Sequence, residues 1–474
     1  MESRATTLMR AYCEESFDQV LAAIRLRERE PFKSPSLELG IDIDKIRRAC
    51  VIARRRAIVR DLVLVALYLV TLVVVVSALN GQMPEANLET MAPASGWPIG
   101  TLLVLYGGMV ATCLAVSWIG RRRARNAMQQ MTAPLEELLD PLPTDQTEVA
   151  VSGGYSPFAG AGTEVMSWSF TIDLTEAADA SQAVRPFNVE ALHQEIESRF
   201  VRLFRQPSVV RDLLFVDGRD VQTVEPLMPA GAFACPARFI QTAEIPNLAH
   251  GRERLLRPYK CMRTFMWGGQ LPVSTFYRFC RSGEVLFCES RIFVMPPLRE
   301  EFRKAERLPL QMNFPEGARL FGLALLEPIW RWAAIGIEVS NWLSAGWIDT
   351  IGGAKRWQRH NRKQVQADRH YNYGWPTSLR QEWSANGTYE RYFQQVDQGF
   401  QVKMVKEALL SSLLSSLEQC NINTDDFKTA SSRIINEGII ISGGSVHAES
   451  MTAGRRARST FNKTGKGARE ARAA

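Results

Sequence analysis

The sequence is poor in the residue patterns that metal binding and nucleophilic catalysis need. Its five histidines stand singly among 474 residues, without an HExxH pair. Its eight cysteines lie far apart and form no CxxC pair, which favours free thiols in a reduced compartment over zinc or disulfides. A GxSxG nucleophile elbow is also missing. We therefore expect no catalytic residues, no metal site and no cofactor, and interpret the protein as non-enzymatic.

One glycine-rich stretch is a candidate ligand-binding motif. The loop SGGYSPFAGAG, residues 152–162, lies between two predicted strands, and its candidate ligand-binding residues are Gly153, Gly154, Gly160 and Gly162. Phosphate-binding loops lead into a helix N-terminus, and the Walker type carries a lysine, whereas this loop leads into a strand and has no lysine. A structural hairpin or loop is the favoured interpretation, and a ligand pocket is the alternative.

Two long uncharged segments, residues 62–79 and 97–119, stand out in the N-terminal part of the chain. The first would span roughly 27 Å as a helix, close to the roughly 30 Å of a bilayer's hydrocarbon core. The connection between them carries no Lys or Arg, whereas arginines flank both segments. Those after the second segment are Arg121, Arg122 and Arg123. By the positive-inside rule, residues 61–120 are predicted to form a transmembrane hairpin in a multi-pass protein of the plasma (inner) membrane, with both termini cytoplasmic.

Patterns on either side of the hairpin predict an α+β fold. Residues 1–60 are predicted as cytoplasmic helices, with one amphipathic helix over residues 5–30. Residues 146–297 alternate strand-like runs with glycine turns and contain one helix, which predicts a cytoplasmic domain with a mainly antiparallel sheet. Within it, a short strand is expected at residues 220–223.

A tryptophan-rich segment, residues 317–348, has three interpretations. It is a membrane-surface helix with tryptophans at the headgroup level, a helix packed in the core or against another copy, or a third span. Its charged residues disfavour a span, because each central charge costs roughly 2.5–3.5 kcal/mol. Its candidate interface residues are Trp330, Trp332, Trp342 and Trp347.

The C-terminal part reads as helices followed by a tail. Residues 372–437 are predicted as a helical region, in which a long apolar stripe at residues 388–417 indicates a protein partner or a homo-oligomer. The basic stretch 355–370 suits a solvated face or anionic headgroups, and no nucleic-acid-reading module accompanies it. Residues 438–474 are predicted as glycine-punctuated strands and a basic tail.

Three stretches together resemble bacterial two-span membrane proteins with no assigned activity. They are SGGYSPFAGAGTEVMSWSF, YNYGWPTSLR followed by YERYFQQVDQGFQVKMVKEALLSSL, and IINEGIIISGGSVHAESMTAGRRAR. The resemblance implies a bacterial inner-membrane protein with a hairpin and cytoplasmic domains, and it carries over no activity and no catalytic residues. The GRRARS run departs from the neutral small residues of that pattern, so this tail is more basic than the resemblance implies.

These observations leave three functional hypotheses. The leading one is a membrane-anchored cytoplasmic binding, sensing or assembly protein that contacts the lipid bilayer and a protein partner. The second is a membrane-acting effector whose tryptophan-rich segment inserts into or perturbs the bilayer. The third is a nucleotide or small-molecule enzyme without a recognisable motif.

Overall fold

The computed structural model describes most of the chain in eight ranges. They are residues 3–80, 97–129, 145–204, 208–252, 254–309, 311–349, 353–385 and 389–436. The predicted connection between the two spans and the predicted strands and tail at 438–474 lie outside these ranges.

The described ranges contain long helices on both sides of a sheet region. The helices before the sheet are α1 (Arg4–Glu15), α2 (Asp18–Glu28), α3 (Ile43–Leu79) and α4 (Trp97–Gln129). Within the sheet region are α5 (Val189–Leu203) and α6 (Ile245–Ala249). After it come α7 (Phe314–Asp349), α8 (Gly353–Ala367), α9 (Leu379–Glu382), α10 (Tyr392–Gln419) and α11 (Asp425–Asn436).

The N-terminal helices differ from the prediction at one point. The single helix expected over residues 5–30 is wrong, because α1 ends at Ser16, whose backbone is extended, and α2 starts after Phe17. The break lets both short helices bury apolar residues: Leu8 and Met9 of α1 are fully buried, as is Val20 of α2. These helices therefore pack within the protein.

Seven strands form one mixed sheet. They are β1 (Gln146–Ser152), β2 (Thr163–Asp173), β3 (Ser208–Asp217), β4 (Phe239–Gln241), β5 (Leu256–Met266), β6 (Leu271–Ser282) and β7 (Val285–Val294). Their order is β2-β7-β6-β5-β3-β1-β4, and every neighbouring pair is antiparallel except β1 with β3. The predicted α+β fold with a mainly antiparallel sheet is confirmed.

Alternate residues of the strands face two different cores, as the two-residue period of a strand requires. On one face, Tyr277 and Ile292 join a core that also contains residues of α5 and α10. On the other face, Phe276 and Phe293 join a core around Phe158. The sheet is thus covered on both sides.

The glycine-rich loop crosses the second face of the sheet. Of the expected structural hairpin or loop, the hairpin form is wrong, because β1 and β2 lie near opposite edges of the sheet and do not pair. Instead the loop spans the sheet and places the Phe158 ring 4.9 Å from Phe276 and 5.0 Å from Phe215, between ring centroids. Burial of this aromatic side chain fixes the loop on the sheet.

The expected strand at residues 220–223 is also wrong. Val221–Thr223 form a turn of 3-10 helix, in which the Thr223 amide donates to the Asp220 carbonyl. Val221, the apolar residue that suggested a strand, is fully buried by this tight turn.

Candidate functional site

Two helices are long and apolar enough to cross a membrane. These are α3, over Ile43–Leu79, and the Ile99–Gln129 part of α4. They contain the predicted segments 62–79 and 97–119. Asp42 starts α3 by accepting a hydrogen bond from the Lys45 amide at 3.0 Å, and the helix then continues without a break through its arginine-rich part into the apolar segment.

The candidate interface arginines at the end of α4's apolar segment have different neighbours. Arg121 forms ion pairs with Glu316 at 3.0 Å and with Glu15 at 3.5 Å. The Arg122 guanidinium lies over the Trp118 ring, 5.3 Å from its centroid. Burial raises the pKa of the half-buried Glu14 carboxyl, and the positive charges of Arg56 and Arg123 oppose this effect. Arg121 therefore forms ion pairs within the protein.

Helix α7 packs along the hairpin helices. Its Ala324 is buried in a cluster with Leu64 of α3 and with Met109 and Cys113 of α4. Since α7 continues through Pro328, which lacks an amide hydrogen, the helix loses one internal hydrogen bond there. We call α3, α4 and residues 314–332 of α7 the three-helix unit.

Two tyrosines of the hairpin support α7 around that proline. The Tyr68 hydroxyl donates to the Pro328 carbonyl at 2.5 Å, and the Tyr106 hydroxyl donates to the Leu325 carbonyl. Each bond gives a tyrosine hydroxyl an acceptor in an apolar setting, where an unpaired polar group is costly.

A charge quartet also joins α7 to α3. Arg60, Asp61, Glu327 and Arg331 form a closed set of ion pairs. Asp61 accepts from Arg60 at 2.8 Å and from Arg331 at 3.1 Å. Glu327 accepts from Arg331 at 2.7 Å and from Arg60 at 3.3 Å. Two cations and two anions leave the quartet neutral, and the Asp61 side chain is only 1% exposed.

The quartet accounts for charged residues within the apolar α7. The spacing of Glu327 and Arg331 indicated that they share a helix face, but it did not reveal their partners on α3. The signal in the sequence is the adjacent pair Arg60 and Asp61, which stands immediately before the uncharged segment 62–79.

The candidate tryptophans lie on α7. Trp330 and Trp332 are 58% and 67% exposed, and the Arg331 guanidinium lies 5.5 Å from the centroid of the Trp330 ring. The side chains of Trp342 and Trp347 lie outside the described part of the structure. An apolar groove of about 520 Å³ runs between the three helices, and Trp332 forms part of its wall. Its other lining residues come from all three helices and include Thr71, Ile99, Leu103 and Ile329.

Protein backbone surrounds the four candidate glycines. A Cβ on Gly153 would lie 2.1 Å from the Gly374 carbonyl oxygen, and one on Gly160 would lie 2.0 Å from that of Leu37. A Cβ on Gly162 would lie 2.3 Å from the Val294 carbonyl oxygen, whereas one on Gly154 would make ordinary contact with Pro376. The loop's amides also have protein partners: that of Gly153 donates to the Trp375 carbonyl and that of Gly160 to the Gln381 side chain. These contacts give the glycines a packing role, and ligand binding by them stays a prediction.

The YNYGWPTSLR stretch that contacts this loop contains a buried charged junction. The Glu38 carboxylate accepts hydrogen bonds from the Leu379 and Arg380 amides, at 3.0 and 3.1 Å. Burial raises the pKa of Glu38 to about 7, against the opposing effects of those two amides and of Arg27. Burial also lowers the pKa of the fully buried Arg380 to about 10, although the Glu38 charge opposes this. The stretch therefore joins the N-terminal segment to the sheet.

Helix α10 has two apolar faces instead of one continuous stripe. Toward the sheet it buries residues such as Val405, Leu409 and Leu413. Another side exposes a group that we call the aromatic face, formed by Tyr392, Phe393, Val396 and Phe400. At about 100° per residue, these four positions fall within one 100° arc, whereas Val405, Leu409 and Leu413 point elsewhere. Leu410, five whole turns after Tyr392, points in the same direction as Tyr392 but is buried in the core, so the stripe predicted at 388–417 is exposed near its start and buried further along.

Among the described residues, no three His, Cys, Asp or Glu side chains are grouped so as to hold a metal ion. His193 of α5 packs against Tyr277 and Phe279, and burial lowers its pKa to about 4. Its surroundings are those of a neutral core histidine.

The fold defines an α+β protein with two candidate membrane-spanning helices. The chain belongs to the AbeC-like domain family, whose model matches residues 167–447. The match begins inside β2 and includes α7, α10 and the YNYGWPTSLR stretch. No curated protein and no solved structure matches the chain.

Proposed function

We propose that this protein is a membrane-anchored assembly protein of the bacterial inner membrane, which self-associates through the aromatic face of α10. The hairpin and α7 anchor it, both termini and the sheet lie in the cytoplasm, and the aromatic face contacts the same face of another copy. The exposed fractions of Tyr392, Phe393 and Phe400, at 75%, 65% and 63%, are the observation that carries the proposal.

The aromatic face is well suited to association because the helix that bears it is already held rigidly. Val405 and Leu409 bury the opposite side of α10 in the main core. Near the start of α10, Glu390 pairs with Arg303 at 2.9 Å, and Asp397 accepts a hydrogen bond from the Trp267 indole at 3.0 Å. Fixed aromatic side chains lose little conformational freedom on binding, and exposed clusters of this kind mark interaction surfaces.

The molar mass of the full-length protein in detergent tests this assembly. We expect the wild type to have a multiple of the 53.3 kDa chain mass, corrected for bound detergent. The double variant Phe393→Glu with Phe400→Glu should shift toward a single chain, because it places charge in the buried contact. Val201→Glu is the matched control, since Val201 is 70% exposed on a different helix, α5. A wild type that stays monomeric at every concentration, or a double variant that assembles as the wild type does, contradicts the proposal.

The proposed topology has its own test. Arginines flank the two apolar segments, and the connection between them has none, which supports a cytoplasmic location for both ends. An epitope inserted between residues 81 and 96 should be accessible to antibody in spheroplasts, whereas epitopes at either terminus should require permeabilised cells. Accessible termini in intact spheroplasts would reverse the orientation.

Exposed tryptophans on α7 favour a second candidate function, perturbation of the bilayer. Trp330 and Trp332 are well exposed, and Trp332 also lines the groove between the three helices. Full-length protein should then release a dye from liposomes, and replacement of both residues by Gln should abolish release. Liposomes that stay sealed at high protein-to-lipid ratios would exclude this activity.

A further inference from the structure

Two cysteines that are 37 positions apart in the sequence meet in the buried N-terminal core. Cys13 of α1 and Cys50 of α3 are both fully buried, and their sulfur atoms are 3.0 Å apart. A disulfide bond is about 2.05 Å long, so closure requires a movement of only about 1 Å. Within the described residues, this is the one cysteine pair whose sulfur atoms the structure brings into contact.

We propose that Cys13 and Cys50 are a redox-responsive pair, which a peroxide or another two-electron thiol oxidant converts into a disulfide joining α1 to α3. With hydrogen peroxide, one thiolate attacks the peroxide oxygen and becomes a sulfenic acid, with loss of one water. The second thiolate then attacks that sulfur and releases a second water. The two thiols lose two electrons and two protons in total, and the peroxide is reduced to two waters.

The position of α1 gives this bond a structural effect. At one end of α1, Glu14 pairs with Arg56 of α3, and at the other end Arg4 pairs with Glu306 at 2.7 Å, near the sheet. Helix α1 therefore bridges the membrane helices and the sheet region. A bond at Cys13, next to Glu14, would fix this end of α1 covalently to α3.

The surroundings make the reaction slow and dependent on opening. The hydrogen bond with Cys50 and burial raise the pKa of the Cys13 thiol, so few thiolates form while α1 is packed. Because both thiols are fully buried, an oxidant reaches them only when α1 opens locally from α3. Oxidation should thus report how often α1 separates from α3.

Peptide mapping of the full-length protein in detergent tests the pair. Protein is treated with hydrogen peroxide or diamide, unfolded, alkylated and digested without reductant. We expect a linked peptide containing Cys13 and Cys50, lighter by two hydrogens than the sum of its parts. The exposed Cys235 serves as an internal control, because it should be modified first. The absence of the linked peptide once Cys235 has fully reacted overturns the proposal, as does equal linkage of Cys13 to other cysteines.

The effect on α1 is measured in the same samples. Oxidised wild type should resist trypsin cleavage within α1 and melt several degrees higher, and dithiothreitol should reverse both changes. Cys13→Ser should show neither change, and Cys261→Ser should behave as the wild type. If the disulfide forms but the oxidised and reduced wild type are equally sensitive to trypsin, the proposed effect on α1 is contradicted. This comparison uses the wild type alone and does not depend on the folding of a variant.

Discussion

The charge quartet predicts that Asp61 holds α7 to the hairpin. Replacing Asp61 with Asn removes one of two negative charges and keeps the side chain's size. Within the quartet, Arg60 and Arg331 then share the single carboxylate of Glu327, so these four side chains acquire a net positive charge. The side chains of these three residues are only 12–15% exposed, so water screens the imbalance poorly.

The magnitude follows from this burial. Removing one partner of a buried ion pair costs about 3–5 kcal/mol, because the remaining charge is left uncompensated. Exposed pairs contribute about 0–1 kcal/mol. The chain offers a matched exposed pair in Glu300 and Arg307, whose side chains are 69% and 73% exposed. We therefore expect Asp61→Asn to destabilise the protein several times more than Glu300→Gln does.

Unfolding of the three-helix unit in mixed detergent micelles measures both variants, with fluorescence of the α7 tryptophans as the signal. A double variant, Asp61→Asn with Arg331→Gln, restores neutrality and should recover about 1–3 kcal/mol relative to the sum of the single changes. If Asp61→Asn and Glu300→Gln destabilise equally, or if the double variant is additive, the quartet is solvated and does not hold α7.

Two further predictions concern the contacts between the N-terminal segment, the glycine-rich loop and residues 371–381. The stability that the protonated Glu38 contributes is fully present below its unfolded pKa of about 4.5 and is lost as pH rises through its folded pKa of about 7. Relative to Glu38→Gln, the free energy of unfolding of the wild type should therefore fall by about 3 kcal/mol across this pH range, at about 1.4 kcal/mol per pKa unit. Urea denaturation at several pH values measures this difference, and parallel pH profiles for the two proteins would contradict it. Gly153→Ala should destabilise the protein by about 3 kcal/mol or more in thermal unfolding, because its Cβ would lie 2.1 Å from a backbone oxygen. Gly399→Ala has nothing within 4 Å of its Cβ and should be neutral or stabilising by about 0.5–1 kcal/mol. Equal melting points for the two alanine variants would show that the loop shifts freely.

Local patterns in the sequence were sufficient to predict most of the helices and strands. The uncharged run 62–79 and the turn at Ser282-Gly283 each carry their signal within a few residues, and both elements occur where expected. The paired arginine and aspartate at 60–61 show the limit of this approach. Their role depends on α7, more than 260 positions later, and periodicity contains no information on which helices are neighbours.

The same limit applies to the candidate sites. Helix α10 has apolar residues on two sides, and a one-dimensional stripe does not distinguish the side facing Leu409 from the side bearing Phe400. The glycine-rich loop has a composition suited either to a ligand or to close backbone contact. The choice depends on Gly374 and Leu37, which approach it from distant parts of the chain. Cys13 and Cys50 likewise meet only because α1 folds back onto α3.

The cap that Glu38 places on Leu379 and Arg380 has a consequence for how the protein is made. The residues are 341 and 342 positions apart, and synthesis at about 5–20 residues per second separates their emergence from the ribosome by roughly 20–70 s. The segment with Glu38 and all seven strands therefore emerge before residues 371–381, and the contacts of Glu38 with the Leu379 and Arg380 amides can form only afterwards. Any chain terminated before Leu379 leaves the ribosome without both of these contacts.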